Sequence, residues 1–163
     1  MFRILNFIFL IMFSACGFAL PTDITQKMNI VADSTTLNYK TGINQYDGNV
    51  RVDQGETHLL ADQLITQADE KHKINLVTAL GKNNLVEYTT LPKAGDAIIH
   101  AKAKIIKFYP EKSLVILEGD VNIIQAKNSF NGPLIYYNIK DQTIKAPATN
   151  KGRSTIIIEP AKS

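Results

Sequence analysis

The chain has 163 residues, of which 45% are hydrophobic and 20% charged. Its length suits one domain and excludes a polytopic membrane protein or a large two-lobed enzyme, while the hydrophobic fraction excludes a disordered chain. The net charge of +3 is too small to indicate nucleic-acid binding.

An export signal is predicted in residues 1–19. Arg3 precedes a mainly apolar run that ends in small residues, among them Gly17 and Ala19, as in a cleaved secretory signal peptide. Two alternatives stay open: an uncleaved membrane anchor, for which the run is short, and a lipoprotein modified at Cys16. Cleavage after Ala19 leaves one domain, residues 20–163, without cysteine, and the expected location is the periplasm of a Gram-negative cell.

Strands are predicted for most of the remaining chain. Polar and apolar residues alternate in 49–53, 100–105 and 120–123, and a period of two is typical of strands with one buried face. Many short strands separated by turns predict a sandwich, barrel or jelly roll. The predicted turns, rich in Gly, Pro and Asn, are 40–42, 47–49, 92–96, 110–112, 131–133 and 150–152.

One segment also fits a helix. Leu60, Leu64 and Ala68 are four residues apart in a stretch, 58–73, that contains neither Gly nor Pro. The strand patterns on both sides favour a strand, and the segment is therefore predicted to be one.

The sequence resembles itself in two places. Residues 46–54 and 117–125 each have an apolar residue, an acid, a Gly, an Asn or Asp, then alternating apolar residues and a final Gln. A fainter echo occurs at 79–83. The repeat predicts a stack of antiparallel pairs, each turning at its Gly. Chance recurrence of Asp-Gly turns is the alternative.

The sequence carries no catalytic motif. Its three histidines lack the spacing of a zinc site, and it has no nucleophile elbow or phosphate loop. Asp33, Asp47 and Asp62 could be the paired acids of a glycosidase. Each lies at a strand start or beside a Gly, however, where Asp commonly bonds local backbone. The chain is expected not to be an enzyme and to bind no cofactor or metal.

Apolar residues are abundant in 113–117, 134–139 and 155–158. A small sandwich buries one face of each sheet and keeps the other wet. This surplus therefore indicates either a very well packed core or an interior groove that holds an apolar ligand, and the pattern does not choose between them.

Seven segments occur in a characteristic order and spacing: 28–33, 37–39, 46–52, 59–62, 79–82, 118–121 and 151–155. Together they resemble the organic-solvent-tolerance (OstA-like) family of periplasmic lipopolysaccharide-transport proteins. The resemblance covers nearly all of the chain after residue 19.

The resemblance implies an all-β fold, a twisted and incompletely closed antiparallel β-jelly roll with an apolar interior groove. Members of the family carry lipopolysaccharide between the two membranes and catalyse no reaction. They stack head to tail, from an inner-membrane-anchored subunit to the outer-membrane assembly. The expected partners are lipopolysaccharide through its lipid A, these transport subunits and further copies of the chain, but no nucleic acid.

Strand parity and the positions matched to the family together give candidate site residues. Lys102, Lys104 and Lys107 are expected to contact lipid phosphates at the groove rim, with a solvated basic face as the alternative. Open edges that accept another chain's strand are expected at Met28, Ile30, Ala32, Thr155, Ile157 and Glu159. Ordinary core packing is the alternative for each residue of the candidate groove lining, which is Met28, Ile30, Leu37, Tyr46, Val50, Val52, Leu59, Val77, Val86, Ile106, Phe108, Val121, Ile123, Tyr137 and Ile144.

Three other functions stay open. The membrane-anchored bridging subunit of the same export machinery shares this fold and would keep its N-terminal helix. A carbohydrate-binding jelly roll or polysaccharide-acting enzyme would need aromatic platforms and paired carboxylates, and the absence of Trp counts against it. A structural envelope protein would have a solid core that takes up no lipid.

Overall fold

The computed structural model of the chain describes residues 26–92 and 94–159, and the signal peptide predicted for 1–19 lies outside them. The described residues form twelve strands and a short 3-10 helix, Pro110–Lys112, and every strand pairing is antiparallel. The strands are β1 Asn29–Val31, β2 Ser34–Asn38, β3 Ile43–Gln54, β4 Thr57–Ala68, β5 Ile74–Leu80, β6 Val86–Thr90, β7 Ile99–Ala103, β8 Ile105–Tyr109, β9 Leu114–Gln125, β10 Asn128–Asn138, β11 Thr143–Lys145 and β12 Thr155–Ile157.

The predicted all-β class is confirmed. The segment that also fitted a helix, 58–73, forms most of β4 and the turn that follows it. The strand is stabilised by its ladders with β3, β5 and β6. A short isolated helix would be only marginally stable in water. In the part of the chain that the structure describes, no helix is long and apolar enough to cross a membrane.

Four long strands, β3, β4, β9 and β10, bend near their middles and contribute to two layers. The A layer holds β2, β5, β8 and β11 with one half of each long strand. The B layer holds β1, β6, β7 and β12 with the other halves. The line of bends that joins the layers is termed the crease. Because β4 and β9 pair in both layers, the ladders β4–β5–β8–β9–β7–β6 return to their start.

The jelly roll is open on the side opposite the crease. Within the described residues, no ladder joins the strand ends of the A layer to those of the B layer on that side. The predicted twisted and incompletely closed architecture is therefore confirmed, with a closed ring of six strands at its centre.

The bends in β3 and β9 are β-bulges built on a Gly and the residue after it. Gly48 and Asn49 have φ angles of 78° and 45°, and Gly119 and Asp120 have φ angles of 76° and 50°. Gly, Asn and Asp adopt positive φ at the least cost. In each strand these two residues lie opposite one residue of the partner strand, so the ladder bends and then continues.

Two predicted turns are therefore wrong. The segments 47–49 and 131–133 lie inside β3 and β10, where the chain changes layer without reversing its direction. Gly, Asn and Pro favour both tight turns and bulges. Both structures need either a residue with positive φ or a residue whose N–H takes no part in the ladder. The sequence signal alone does not separate the two.

The second half of the described chain repeats the first. Residues 29–67 and 100–138 correspond one to one at a constant spacing of 71, so that Gly48 matches Gly119 and each strand pairing of the first set recurs in the second. Strands β1–β4 thus correspond to β7–β10. Strands β5 and β6, which flank β4, correspond to β11 and β12, which flank β10. The self-similarity in the sequence reflects this duplicated unit. The turn predicted at the Gly of each repeat is wrong, because the chain bends at Gly48 and Gly119 and continues along the same strand.

Candidate functional site

Two rows of inward-facing side chains run across the strands, from one edge of the molecule to the other. Within each layer, successive ladders place one residue of every strand in the same row. Alternation along a strand fixes which of its residues share a face. The A row is Leu37, Asn44, Thr66, Val77, Phe108, Val115, Tyr137 and Ile144. The B row is Ile30, Val52, Leu59, Tyr88, Ala101, Ile123, Phe130 and Ile156.

The A row is polar in one place. Asn44 and Thr66 are neighbours on β3 and β4, and the Asn44 side-chain amide donates to the Thr66 hydroxyl over 3.4 Å. The matching residues of the second unit are Val115 and Tyr137. The second unit therefore presents the more apolar interior.

A pocket lies between the two rows in the second unit. It measures about 270 Å³ when the space open to solvent is counted, and its exposed wall is apolar. Burial, with a smaller effect from Asp96, raises the pKa of Tyr137 in this wall, so its hydroxyl stays neutral at physiological pH. The lining residues are Tyr88, Ile99, Ala101, Val115, Leu117, Ile123, Tyr137 and Ile144.

The residues predicted to line the groove lie on the inward faces of their strands, with Met28 just before β1, but at different depths. Val50, Val86, Ile106 and Val121 are buried near the crease as ordinary core, and Tyr46 lies beside them. The other predicted residues, apart from Met28, belong to the rows, and among these Ile123, Tyr137 and Ile144 also line the pocket. Contact of these residues with lipid stays a prediction.

Sequence reasoning missed five residues of the pocket wall: Tyr88, Ile99, Ala101, Val115 and Leu117. The alternating stretch 100–105 contains Ala101, and the apolar run 113–117 contains Val115 and Leu117, whereas Tyr88 and Ile99 lie outside both. The sequence does not say which of two alternating faces turns inward, because that choice depends on the partner strand.

The three lysines expected at the groove rim lie outside the two rows of inward-facing side chains, and their contact with lipid phosphate stays a prediction. Lys102 and Lys107 are on the outward faces of β7 and β8, and Lys104 is at the crease. The hydrogen bond to Glu118 raises the pKa of Lys107. Each ammonium group is paired with a carboxylate: Lys102 with Glu87 (2.6 Å), Lys104 with Asp120 (2.8 Å) and Lys107 with Glu118 (2.8 Å).

Two of the three aspartates considered as paired acids bind neighbouring side chains. The Asp33 carboxylate accepts a hydrogen bond from the Asn49 amide at 2.8 Å, which ties the link between β1 and β2 to the bulge in β3. The Asp47 carboxylate accepts from the amides of Gln45 (2.7 Å) and Gln63 (2.6 Å). Both carboxylates thus stabilise the crease.

The third aspartate, Asp62, organises the turn between β5 and β6. One of its carboxylate oxygens accepts from the backbone N–H groups of Lys82, Asn83 and Asn84 at 2.6, 2.6 and 3.2 Å. These backbone hydrogen bonds, led by the one from Asn83, lower the pKa of Asp62. Its role in the structure is that of a cap for the turn.

The strands at both ends of the molecule have an unpaired edge. Among the described residues, β1 and β2 pair only with β3, and β11 and β12 pair only with β10. The residues predicted for docking edges lie in or close to β1 and β12, and docking at them stays a prediction. Leu37 and Ile156 end the two rows there and are exposed, whereas their counterparts Phe108 and Tyr88 are half-buried under the next unit.

Comparison with known proteins identifies relatives over most of the chain. Residues 29–143 match the family described as LptA/(LptD N-terminal domain) LPS transport protein. The lipopolysaccharide export system protein LptH of Pseudomonas aeruginosa is 31% identical over 142 residues, which are 87% of this chain and 77% of LptH. The corresponding LptA of Haemophilus influenzae is 26% identical over 167 residues, or 98% of this chain and 92% of that protein.

A solved structure has the same fold. The crystal structure of P. aeruginosa LptH, titled the LptA homologous periplasmic component of the conserved lipopolysaccharide transport device, superposes with a TM-score of 0.77 and 27% identity. The match covers 86% of this chain and all of that one.

Proposed function

Since this chain belongs to the LptA/LptD N-terminal-domain family of lipopolysaccharide transport proteins, we propose that it carries lipopolysaccharide across the periplasm with the acyl chains of lipid A held between the A row and the B row. The observation that carries this proposal is the pair of facing, largely apolar rows that run without interruption from one open edge to the other.

The physical need for such a groove is large. Burial of one methylene group is worth about 0.8 kcal/mol, so transfer of a twelve-carbon acyl chain into water costs roughly 10 kcal/mol. A lipid with several such chains does not cross an aqueous gap unaided. Aliphatic side chains without a shaped polar site suit transport, since successive sites of similar affinity let the lipid move on.

The open side opposite the crease suits the two-part chemistry of the ligand. Acyl chains can enter between the layers there, while the sugar head group remains in water. Most of the pocket's 270 Å³ is space open to solvent, so its enclosed part is too small to hold an acyl chain. Uptake of a whole lipid A therefore requires the two layers to separate along the open side, where no ladder holds them within the described residues.

We further propose that copies of the chain stack head to tail, with β1 and β2 of one copy against β11 and β12 of the next. Unpaired strand edges with exposed apolar side chains favour the addition of another strand. At the ends of the stack, the same edges would receive the inner-membrane-anchored subunit on the β1 and β2 side and the outer-membrane subunit on the β11 and β12 side.

Site-specific photo-crosslinking in cells tests the groove. A photoreactive amino acid at Leu37 or Phe108, both in the A row, is expected to form adducts with lipopolysaccharide. Leu60 is the matched control, because it faces outward and is 48% exposed against 45% for Leu37. Adducts of equal yield from Leu60, or none from Leu37 and Phe108, would contradict the proposal.

A separate measurement tests export. Sequencing of the mature N-terminus is expected to find residues near Leu20 first. An intact Met1, or a lipid on Cys16, would instead favour the membrane-anchored bridging subunit.

A further inference from the structure

The molecule contains a junction between its own two units, and its two ends repeat the two sides of that junction. Inside the chain, β5 pairs with β8 in the A layer and β6 pairs with β7 in the B layer. The duplication makes β11 and β12 the counterparts of β5 and β6, and β2 and β1 the counterparts of β8 and β7. Each end of the chain thus carries the unpaired strands of one side of such a junction.

We infer that a second copy of this chain joins the first in the register of the internal junction, residue for residue. This inference rests on the proposed head-to-tail stacking and specifies its geometry. Glu87 lies opposite Lys102 inside the chain, and their counterparts are Thr155 and Val31. Thr155 of one copy therefore lies opposite Val31 of the next.

The same correspondence fixes the remaining pairs across the layers. In the B layer, Tyr88 opposite Ala101 becomes Ile156 opposite Ile30 of the next copy. In the A layer, Val77 opposite Phe108 becomes Ile144 opposite Leu37 of the next copy.

This register makes the groove continuous. Ile144 and Ile156 end the rows at one edge, and Leu37 and Ile30 begin them at the other. In the inferred register, the A row of one copy meets the A row of the next with no change of face, and the same holds for the B row. A shift by one residue would turn the apolar side chains of one copy to the opposite face.

The junction between copies is weaker than the one inside the chain. The internal junction has an ion pair, Glu87 with Lys102, whereas Thr155 and Val31 carry no charge. β11 and β12 have three residues each, compared with seven in β5 and five in β6. The stack is therefore expected to come apart between chains and not within them.

Cysteine crosslinking tests the register. Cys16 is the chain's single cysteine, so Cys16→Ala gives a cysteine-free background. Residues directly opposite in an antiparallel pair have Cα atoms about 4.5–5.5 Å apart, within the ~4.4–6.8 Å that a disulfide allows, and diagonal neighbours lie farther apart. One chain carries Val31→Cys or Asn29→Cys, and a second chain mixed with it carries Thr155→Cys or Ile157→Cys.

Under mild oxidation, the combinations 155 with 31 and 157 with 29 are expected to form interchain disulfides in several-fold excess over 155 with 29 and 157 with 31. Glu87→Cys with Lys102→Cys in one chain is the positive control, because these residues form the internal counterpart of the first combination. All six positions have exposed side chains, so access does not favour one combination.

The outcomes separate the two proposals. Equal yields, or a preference for the diagonal combinations, together with intact oligomers in light scattering, would overturn the register and leave head-to-tail stacking in place. Oligomers without any interchain disulfide would also overturn the register. The absence of both oligomers and disulfides, with the control crosslinked, would overturn the stacking itself.

Discussion

Leu64 on β4 and Ile135 on β10 occupy the same place in the two units, and neither exposes any of its surface. Both lie beside a bulge, next to the crease. Farther from the crease, the units differ, since Asn44 and Thr66 of the first match Val115 and Tyr137 of the second. The duplicated unit thus keeps an apolar core at the crease and varies the interior toward the open side.

Truncation of either core residue is expected to destabilise the protein. Leu64→Ala and Ile135→Ala each leave a cavity in a fully buried site, and each should lower the free energy of unfolding by about 2–5 kcal/mol. The control is Leu60→Ala, a change of the same size at an exposed position of β4, which should cost about 0.5 kcal/mol or less. Urea denaturation measures all three; similar losses at Leu60 and Leu64 would contradict the assignment of the inward face.

Gly48 is expected to tolerate no side chain. An alanine at this position would have to adopt a φ of 78°, and its Cβ would also collide with the Asp33 carboxylate. Gly48→Ala should therefore lower the free energy of unfolding by more than the ~1–2 kcal/mol of the left-handed backbone alone. Gly95→Ala is the matched control, because Gly95 has a φ of 88° with open space around it. Equal losses at the two glycines would rule out the steric contribution.

Asp62 is expected to make stability depend on pH in the acid range. Its folded-state pKa is lowered below the ordinary 3.8 by hydrogen bonds from the turn 82–84. Its contribution is therefore present above the unfolded-state pKa and is lost as the pH falls through the folded-state value. In urea denaturation at a series of pH values, Asp62→Asn should be less stable than the parent at neutral pH, and the gap should narrow on acidification.

The exposed Asp141 supplies the control for that experiment. Asp141→Asn removes an exposed carboxylate from another turn and measures the effect of losing a surface charge alone. A gap between the parent and Asp62→Asn that stays constant down to the lowest pH would contradict a role for the ionised carboxylate.

The contact of Lys102, Lys104 and Lys107 with lipid phosphate, predicted from the sequence, requires each ammonium group to leave its carboxylate. For Lys107, Glu118→Gln would remove the competing charge and should strengthen binding of lipopolysaccharide, while Lys107→Gln should weaken it. The measurement is equilibrium binding of bisphosphorylated and dephosphorylated lipid A at low salt. If both variants bind the two lipids as the parent does, Lys107 serves only the ion pair.

The alternating residues of 49–53 and 120–123, together with the self-similarity of 46–54 and 117–125, were sufficient to predict an all-β chain with a repeated unit. Parity along one strand groups its residues into two faces but does not say which face turns inward. The candidates Phe108 and Ile123 came from parity together with positions matched to the family, and both lie in the rows. The pocket residues Ala101 and Val115 were missed, since nothing in their own strands says which partner lies opposite.

The sequence by itself determined the strand content, the duplication and the apolar character of the interior, because these depend on neighbours along the chain. The tertiary structure decided that Gly48 and Gly119 bend their strands instead of reversing them, and that the strands enclose one ring with two unpaired edges. Those outcomes depend on ladders between residues far apart in sequence. Local preferences permit a bulge and a turn equally, and only the pairing of β4 with β3 and of β10 with β9 selects the bulge.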